Sequence, residues 1–149
     1  MKKTLRSKYG PIRPLKRNPR RITQEAFAKL CESIEHFCGT KQVKCIFGAS
    51  EDKDLDTMIS LLAPHVDEFI MTRSIHPRAA DPKALGKLAA ETGRKNRITN
   101  SLEEAFAIYE ADQQENVCYI AAGSLFVAGG IRELAMQRDP SLKYFEYNH

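Results

Sequence analysis

The apolar runs VKCIF (43–47), EFIMT (68–72) and NVCYIAA (116–122), with the shorter RIT (97–99) among them, recur at intervals of roughly 25 residues. Each gap holds a stretch whose apolar residues fall three and four apart, the period of a helix with one buried face. Strands separated by that much chain are joined by helical crossovers, which run right-handed and leave the strands parallel. Runs this nearly continuous in apolar character fit strands covered on both faces. The pattern predicts a three-layer α/β domain, a mostly parallel sheet flanked by helices.

Local signals place the helices. Thr23 reads as the cap of a first helix whose Phe27, Leu30, Cys31, Ile34 and Cys38 share a face, with Gly39 ending it. Asp54 or a neighbour opens a second helix with Leu55, Met58, Ile59 and Leu62 inward, and Pro64 stops it. Asp81 before Pro82 caps a third, running to about Thr92. Ser101 and Glu104 form the S-x-x-E capping box of a fourth, to about Gln113. Gly123 and Ser124 turn the chain into a last helix ending near Gln137. Three regions follow: a basic arm, residues 1–22, without a packed core; the α/β domain, 23–137; and a C-terminal tail, 138–149.

The formal net charge of +4 is unevenly spread. Nine of the 23 Lys and Arg lie within residues 1–21, which hold no Asp or Glu; the remaining 14 face 19 acidic residues. The arm, with three prolines and few apolar residues, cannot bury enough surface to offset its ordering entropy. A basic arm of this kind is suited to nucleic acid or another anionic surface, although it carries no interleaved aromatics. No apolar run reaches the roughly 18–20 residues needed to cross a bilayer, and the basic N-terminus lacks the apolar segment of a secretory signal. A cytoplasmic protein without membrane contact is the expectation. The four cysteines, Cys31, Cys38, Cys45 and Cys118, form no metal-ligand spacing. Cys31 and Cys38 share a helix but sit about 10 Å apart along it, too far for a disulfide. All four are expected to be reduced, and no metal site is expected.

In an open parallel sheet, ligands bind beyond the carboxyl ends of the strands. Three loops fall there: GASEDKD after the strand at 43–47, RSIHPRAA after 68–72, and GSLF after 116–122. Each leads toward a helix, whose N-terminal N–H groups and positive dipole end face the same edge. Lys53, Arg78 and Ser124 together make a candidate site for anionic groups. Simpler readings stand beside it. Asp52 and Asp54 can cap a helix, Arg78 can be an ordinary surface arginine, Gly123-Ser124 can be only a tight turn, and His76 can lie near the edge without a role. No G-x-x-x-x-G-K-[ST] phosphate loop and no nucleophile–histidine–acid set is present, so no catalytic residue is assigned.

The loops FGASEDKDLDTMISLLAP, HPRAA, SLEEAF and AAGSLFVAGGIREL, in this order, resemble the C-terminal domain of bacterial folylpolyglutamate synthase, often bifunctional with dihydrofolate synthase, in the Mur ligase family. The resemblance runs from about Thr23 to Leu134. It implies a Rossmann-like glutamate-ligase domain that closes on a separate ATPase domain. The family phosphorylates a carboxylate with ATP, and the amine of glutamate then attacks the acyl phosphate. By position, Lys53 of D-K-D would lie near the acyl phosphate or the glutamate carboxylates, and Arg78 of H-P-R would grip a carboxylate. Ser124 of G-S-L-F would hydrogen-bond the amino acid, with Phe126 packed beside it. Asp52 and Asp54 would orient Lys53 or cap the helix, with His76 and Gly123 in support. The family opens this domain with a strand ending D-G-A-H-N or D-G-A-H-T. Here Pro19, Arg20, Arg21 and Ile22 precede the matching Thr23.

The resulting expectation is an isolated or truncated ligase domain that is inactive alone and needs an ATPase-domain partner. ATP and Mg would belong only to the complete enzyme, with no cofactor for this chain by itself. Its small-molecule partners would be glutamate or a folate-like tail. The alternative is a non-catalytic interaction protein that reuses the fold, its arm touching nucleic acid.

Overall fold

The structure, a computed structural model, describes residues 6–7, 10–11 and 19–141. The expectations for the remainder of the arm and for the tail beyond residue 141 lie outside the described residues. A two-stranded antiparallel ribbon, β1 (Arg6–Ser7) and β2 (Gly10–Pro11), precedes the domain. The domain follows as α1 (Pro19–Cys38), β3 (Gln42–Gly48), α2 (Leu55–Leu62) with a 3-10 turn at Ala63–His65, and β4 (Glu68–Met71). Then come α3 (Pro82–Glu91), β5 (Lys95–Ile98), α4 (Leu102–Ala111), β6 (Val117–Gly123) and α5 (Leu125–Arg138). No described helix is long and apolar enough to cross a membrane.

The four strands β3 to β6 form one parallel sheet in the order β5-β4-β3-β6. Alternation along the strands builds two cores. Cys45, Phe47, Phe69 and Met71 pack with Ile34, Leu62 and Leu85 under α1, α2 and α3, while Ile46 and Ile70 pack with Ala105 and Val127 under α4 and α5. Phe47, Phe69, Leu62 and Leu85 are fully buried, each contributing roughly 1.5–3 kcal/mol of burial energy. This is the three-layer architecture that the alternation predicts, and the Rossmann-like layout that the resemblance implies.

The strand order fixes where a ligand can sit. From β3 the chain steps outward to β4 and β5, then returns to the other side of β3 as β6. Loops leaving β3 and β6 therefore diverge, and a crevice opens between their carboxyl ends. Gly48 pairs with Gly123 there, and the Ser124 N–H donates to the Gly48 carbonyl at 2.8 Å. Gly123 has a φ of +105°, and a Cβ on it would collide with the Gly48 carbonyl oxygen. A glycine is required at this joint.

Three expectations need correction. Helix α1 begins at Pro19, so Thr23 lies inside it rather than capping it, and the residues standing where the D-G-A-H strand would end are helical. Proline's fixed φ suits the first helical turn. Strand β5 covers Lys95–Ile98 rather than 97–99; it is an edge strand with mostly exposed side chains, so it lacks an apolar signature. Finally, Cys38 and Cys118 form a disulfide, with Cα atoms 5.6 Å apart, and only Cys31 and Cys45 are free. Spacing along one helix tested only the local pair. The bonded pair arises because Val43 stands beside Cys118 in the β3–β6 ladder, just beyond the turn that ends α1.

Candidate functional site

The loop after β3 and the loop after β4 are fastened to each other. Ala80 N–H donates to the Ala49 carbonyl and Glu51 N–H to the Arg78 carbonyl, both at 2.8 Å, around a bridge between Ser50 and Ala79. Lys53 and Arg78 are thus presented by a single backbone unit. The third loop is minimal: β6 ends at Gly123 and Ser124 caps α5 at once, its Oγ accepting the Phe126 N–H at 3.0 Å.

These loops enclose a cavity of about 420 Å³, lined by Ala49, Ser50, Asp52, Lys53, His76, Arg78, Gly123, Ser124, Leu125 and Phe126. Its size is within the usual range for small-molecule sites. Seven of the eight singled-out residues share it. Asp54 does not: it is the N-cap of α2, accepting the Thr57 N–H at 3.3 Å and the Thr57 hydroxyl at 2.8 Å. For Asp54, helix capping is the role the geometry displays.

Lys53 and Arg78 are exposed, His76 and Ser124 half-buried. Among the described residues, neither the Lys53 ammonium nor the Arg78 guanidinium has an ion-pair partner, and Asp52 is the only carboxylate on the lining. The cavity thus combines two available cations with the start of α5, suited to one or two carboxylates. His76 Nδ1 accepts the Arg78 N–H at 3.1 Å, and its ring lies against Phe126, centroids 4.9 Å apart.

A larger cavity of about 670 Å³ adjoins the first and shares His76, Leu125 and Phe126 with it. It is bounded by the Arg73–Pro77 loop, the start of α4 and the side of α5 that carries Gly130 and Glu133. Ile75 and Leu125 project almost wholly into solvent, at 104% and 90% exposure. The apolar pattern carries no signal for either, because Ile75 lies in a loop and Leu125 is the first residue of α5, where no helical period has yet been set.

A second charged group lies toward the amino ends of the strands. Lys44 Nζ is 2.6 Å from Asp112 Oδ2, which also accepts the Tyr119 hydroxyl at 2.5 Å. Arg97 Nε is 2.6 Å from Glu68 Oε1. The hydrogen bonds from Lys44 and Tyr119 hold the Asp112 carboxyl below the usual carboxylate range. Burial, then the bond to Asp112, push the Tyr119 phenol up. Every charge here is matched, which marks a structural network. Among the described residues, no group of three or more His, Cys, Asp or Glu is placed to hold a metal ion.

Residues 23–125 match the family described as the Mur ligase, glutamate ligase domain. No curated protein matches the sequence. Among solved structures, E. coli FolC in complex with ADP, without folate substrate, superimposes with a TM-score of 0.68 at 19% identity, over 77% of this chain and 27% of that one. A Mycobacterium tuberculosis folylpolyglutamate synthase complexed with ADP and AMPPCP gives 0.63 at 22%, over 78% and 28%. Folylpolyglutamate synthase from Thermotoga maritima gives 0.65 at 19%, over 78% and 26%. At these identities the likeness is one of fold, and the chain spans 26–28% of the length of those three proteins.

Proposed function

Because the chain belongs to the Mur ligase family through its glutamate ligase domain, we propose that it forms the amino-acid-binding part of an ATP-dependent amide ligase of the folylpolyglutamate synthase type. The observation that carries this is the convergence of Lys53, Arg78 and Ser124 on one cavity at the sheet's switch point. In this reading Arg78 holds a carboxylate of the incoming glutamate, Ser124 hydrogen-bonds it, and Phe126 covers its methylenes. Lys53 faces the other glutamate carboxylate and the acyl phosphate beside it, where a fixed cation also stabilises the charge that develops as the amine attacks and phosphate leaves. Asp52 lines the same cavity as that cation without pairing to it, and Gly123 lets the backbone approach closely.

ATP and Mg belong to the complete enzyme. The 149 residues contain no G-x-x-x-x-G-K-[ST] loop, so an ATPase domain would supply the nucleotide cradle, and the chain by itself would form no glutamyl bond. The projecting Ile75, Leu125 and Phe126 give that domain an apolar edge to close on, beside the cavity it would complete. A folate carboxylate is the substrate proposed.

Calorimetry with glutamate at low salt tests the site. Wild-type protein is expected to bind glutamate, with affinity reduced at least tenfold in Lys53→Ala, of the order expected for a charge-assisted contact. Equal affinity in the two proteins would sink the assignment. A second reading rests on the nine Lys and Arg of residues 1–21: nucleic-acid binding that falls with salt and disappears when those residues are deleted would favour an interaction protein.

A further inference from the structure

We propose that His76 is a positioning residue that couples the two substrate grips of the cavity, fixing Arg78 with one ring nitrogen and seating Phe126 with the ring face. Its consequence for binding rests on the amino-acid-site reading above; its structural part does not.

Three contacts make His76 the junction of the site. Its own N–H donates to Ser74 Oγ at 3.3 Å, and Ser74 is buried, so the base of the loop is anchored. Its Nδ1 accepts the Arg78 N–H at 3.1 Å, across Pro77. This side-chain-to-backbone bond two residues on has the geometry of an Asx turn, with imidazole replacing the usual carboxamide. Its ring then stacks at 32° on Phe126, in the first turn of α5. The Arg78 carbonyl in turn accepts from Glu51 in the first loop. One side chain thus touches the loop after β4 and the start of α5, and through Arg78 it reaches the loop after β3. Because Nδ1 is an acceptor, the ring proton of the neutral imidazole sits on Nε2.

An asparagine is sufficient for the Asx-type bond but has no ring. A phenylalanine preserves stacking but accepts nothing. The two substitutions therefore separate the halves of the role. Nitrogen-15 spectra of the wild-type chain are expected to report the Nε2–H tautomer, and the Arg78 amide is expected to exchange slowly with solvent. In His76→Phe, Arg78 exchange should accelerate roughly five- to tenfold, the loss of one ordinary hydrogen bond, with Phe126 ring resonances little changed. In His76→Asn, Arg78 protection should persist while the Phe126 resonances move. Glutamate affinity should fall severalfold in both. An Nδ1–H tautomer, or Arg78 protection unaffected by His76→Phe, would overturn the proposal. If these resonances behave as expected but the wild-type chain binds no glutamate, the amino-acid reading fails and the positioning role stands.

Discussion

At the carboxyl end of the sheet, Lys53 and Arg78 stand on loops with no ion-pair partner among the described residues, and the backbone carries the architecture. Toward the amino end, Lys44, Glu68, Arg97, Asp112 and Tyr119 sit on or beside the strands, and each is tied to another. The same sheet therefore uses charge in two ways. Matched charges offset part of each other's desolvation and tie the strands to α4, while the unmatched cations at the rim are, in the function proposed above, what meets an anion from outside. The disulfide from Cys38 to Cys118 belongs with the first kind: it clamps α1 onto β6 well before that strand reaches Gly123.

The strongest way to test this division is to weaken the amino end alone. Cys38 and Cys118 are separated by 80 residues, and a disulfide typically stabilises a fold by roughly 2–4 kcal/mol, more for a long loop such as this. Cys118→Ser, or the wild-type chain under reductant, should lose about that much in urea unfolding. Glutamate affinity, measured where both proteins are folded, should be unchanged. An equal loss of affinity would mean that the two ends are not independent.

The reverse experiment distorts the carboxyl end through its backbone. Gly123→Ala puts a Cβ against the Gly48 carbonyl at a φ of +105°. Backbone strain of this type costs about 1–3 kcal/mol, and the β3–β6 joint must also move. The variant should lose stability of that order and also lose glutamate binding, because the loop carrying Ser124 shifts with it. Retained binding would show that the cavity tolerates a displaced β6 terminus.

The two ends also differ in how much the sequence discloses. The caps at Asp54, Asp81 and Ser101 are readable because each is a contact within three residues, and all three form. Lys53, Arg78 and Ser124 could be grouped because a parallel sheet delivers every strand-to-helix loop to one edge. By contrast, Lys44 and Asp112 are 68 residues apart, and Cys38 and Cys118 lie further still. Nothing local marks such pairs; register and helix packing decide them. Edge strand β5 was displaced for the same reason, since its exposed residues carry no alternation. The role of Asp54 needed geometry too, because a cap and a ligand-orienting carboxylate look alike in sequence.

Exchanging single lysines sharpens the comparison at smaller scale. Lys53→Ala removes an exposed charge and should change stability by less than about 0.5 kcal/mol while weakening glutamate binding at least tenfold. Lys44→Met removes a lysine that is 8% exposed and leaves Asp112 with Tyr119 and Glu68 with Arg97. It should lower stability, since Asp112 keeps its charge and loses its cation, with no effect on binding.

The smallest effect lies in the acid limb of stability. The Asp112 carboxyl is held below its ordinary value, by the hydrogen bonds from Lys44 and Tyr119 first, so the folded state favours its ionised form. Its contribution is complete above the unfolded carboxylate value of about 4 and is lost as pH falls toward the lower folded value. Stability of the wild-type chain should therefore fall through this window, and Asp112→Asn should flatten that slope while leaving Tyr119 a hydrogen-bond acceptor. Urea midpoints at steps of pH between about 6 and 2 give the slope directly. Lys53→Ala measured in parallel should keep the wild-type slope, because no carboxylate among the described residues is paired to Lys53. A flattened slope in Lys53→Ala would place a carboxylate partner at the rim, and the cation taken as free for a ligand would be one already engaged.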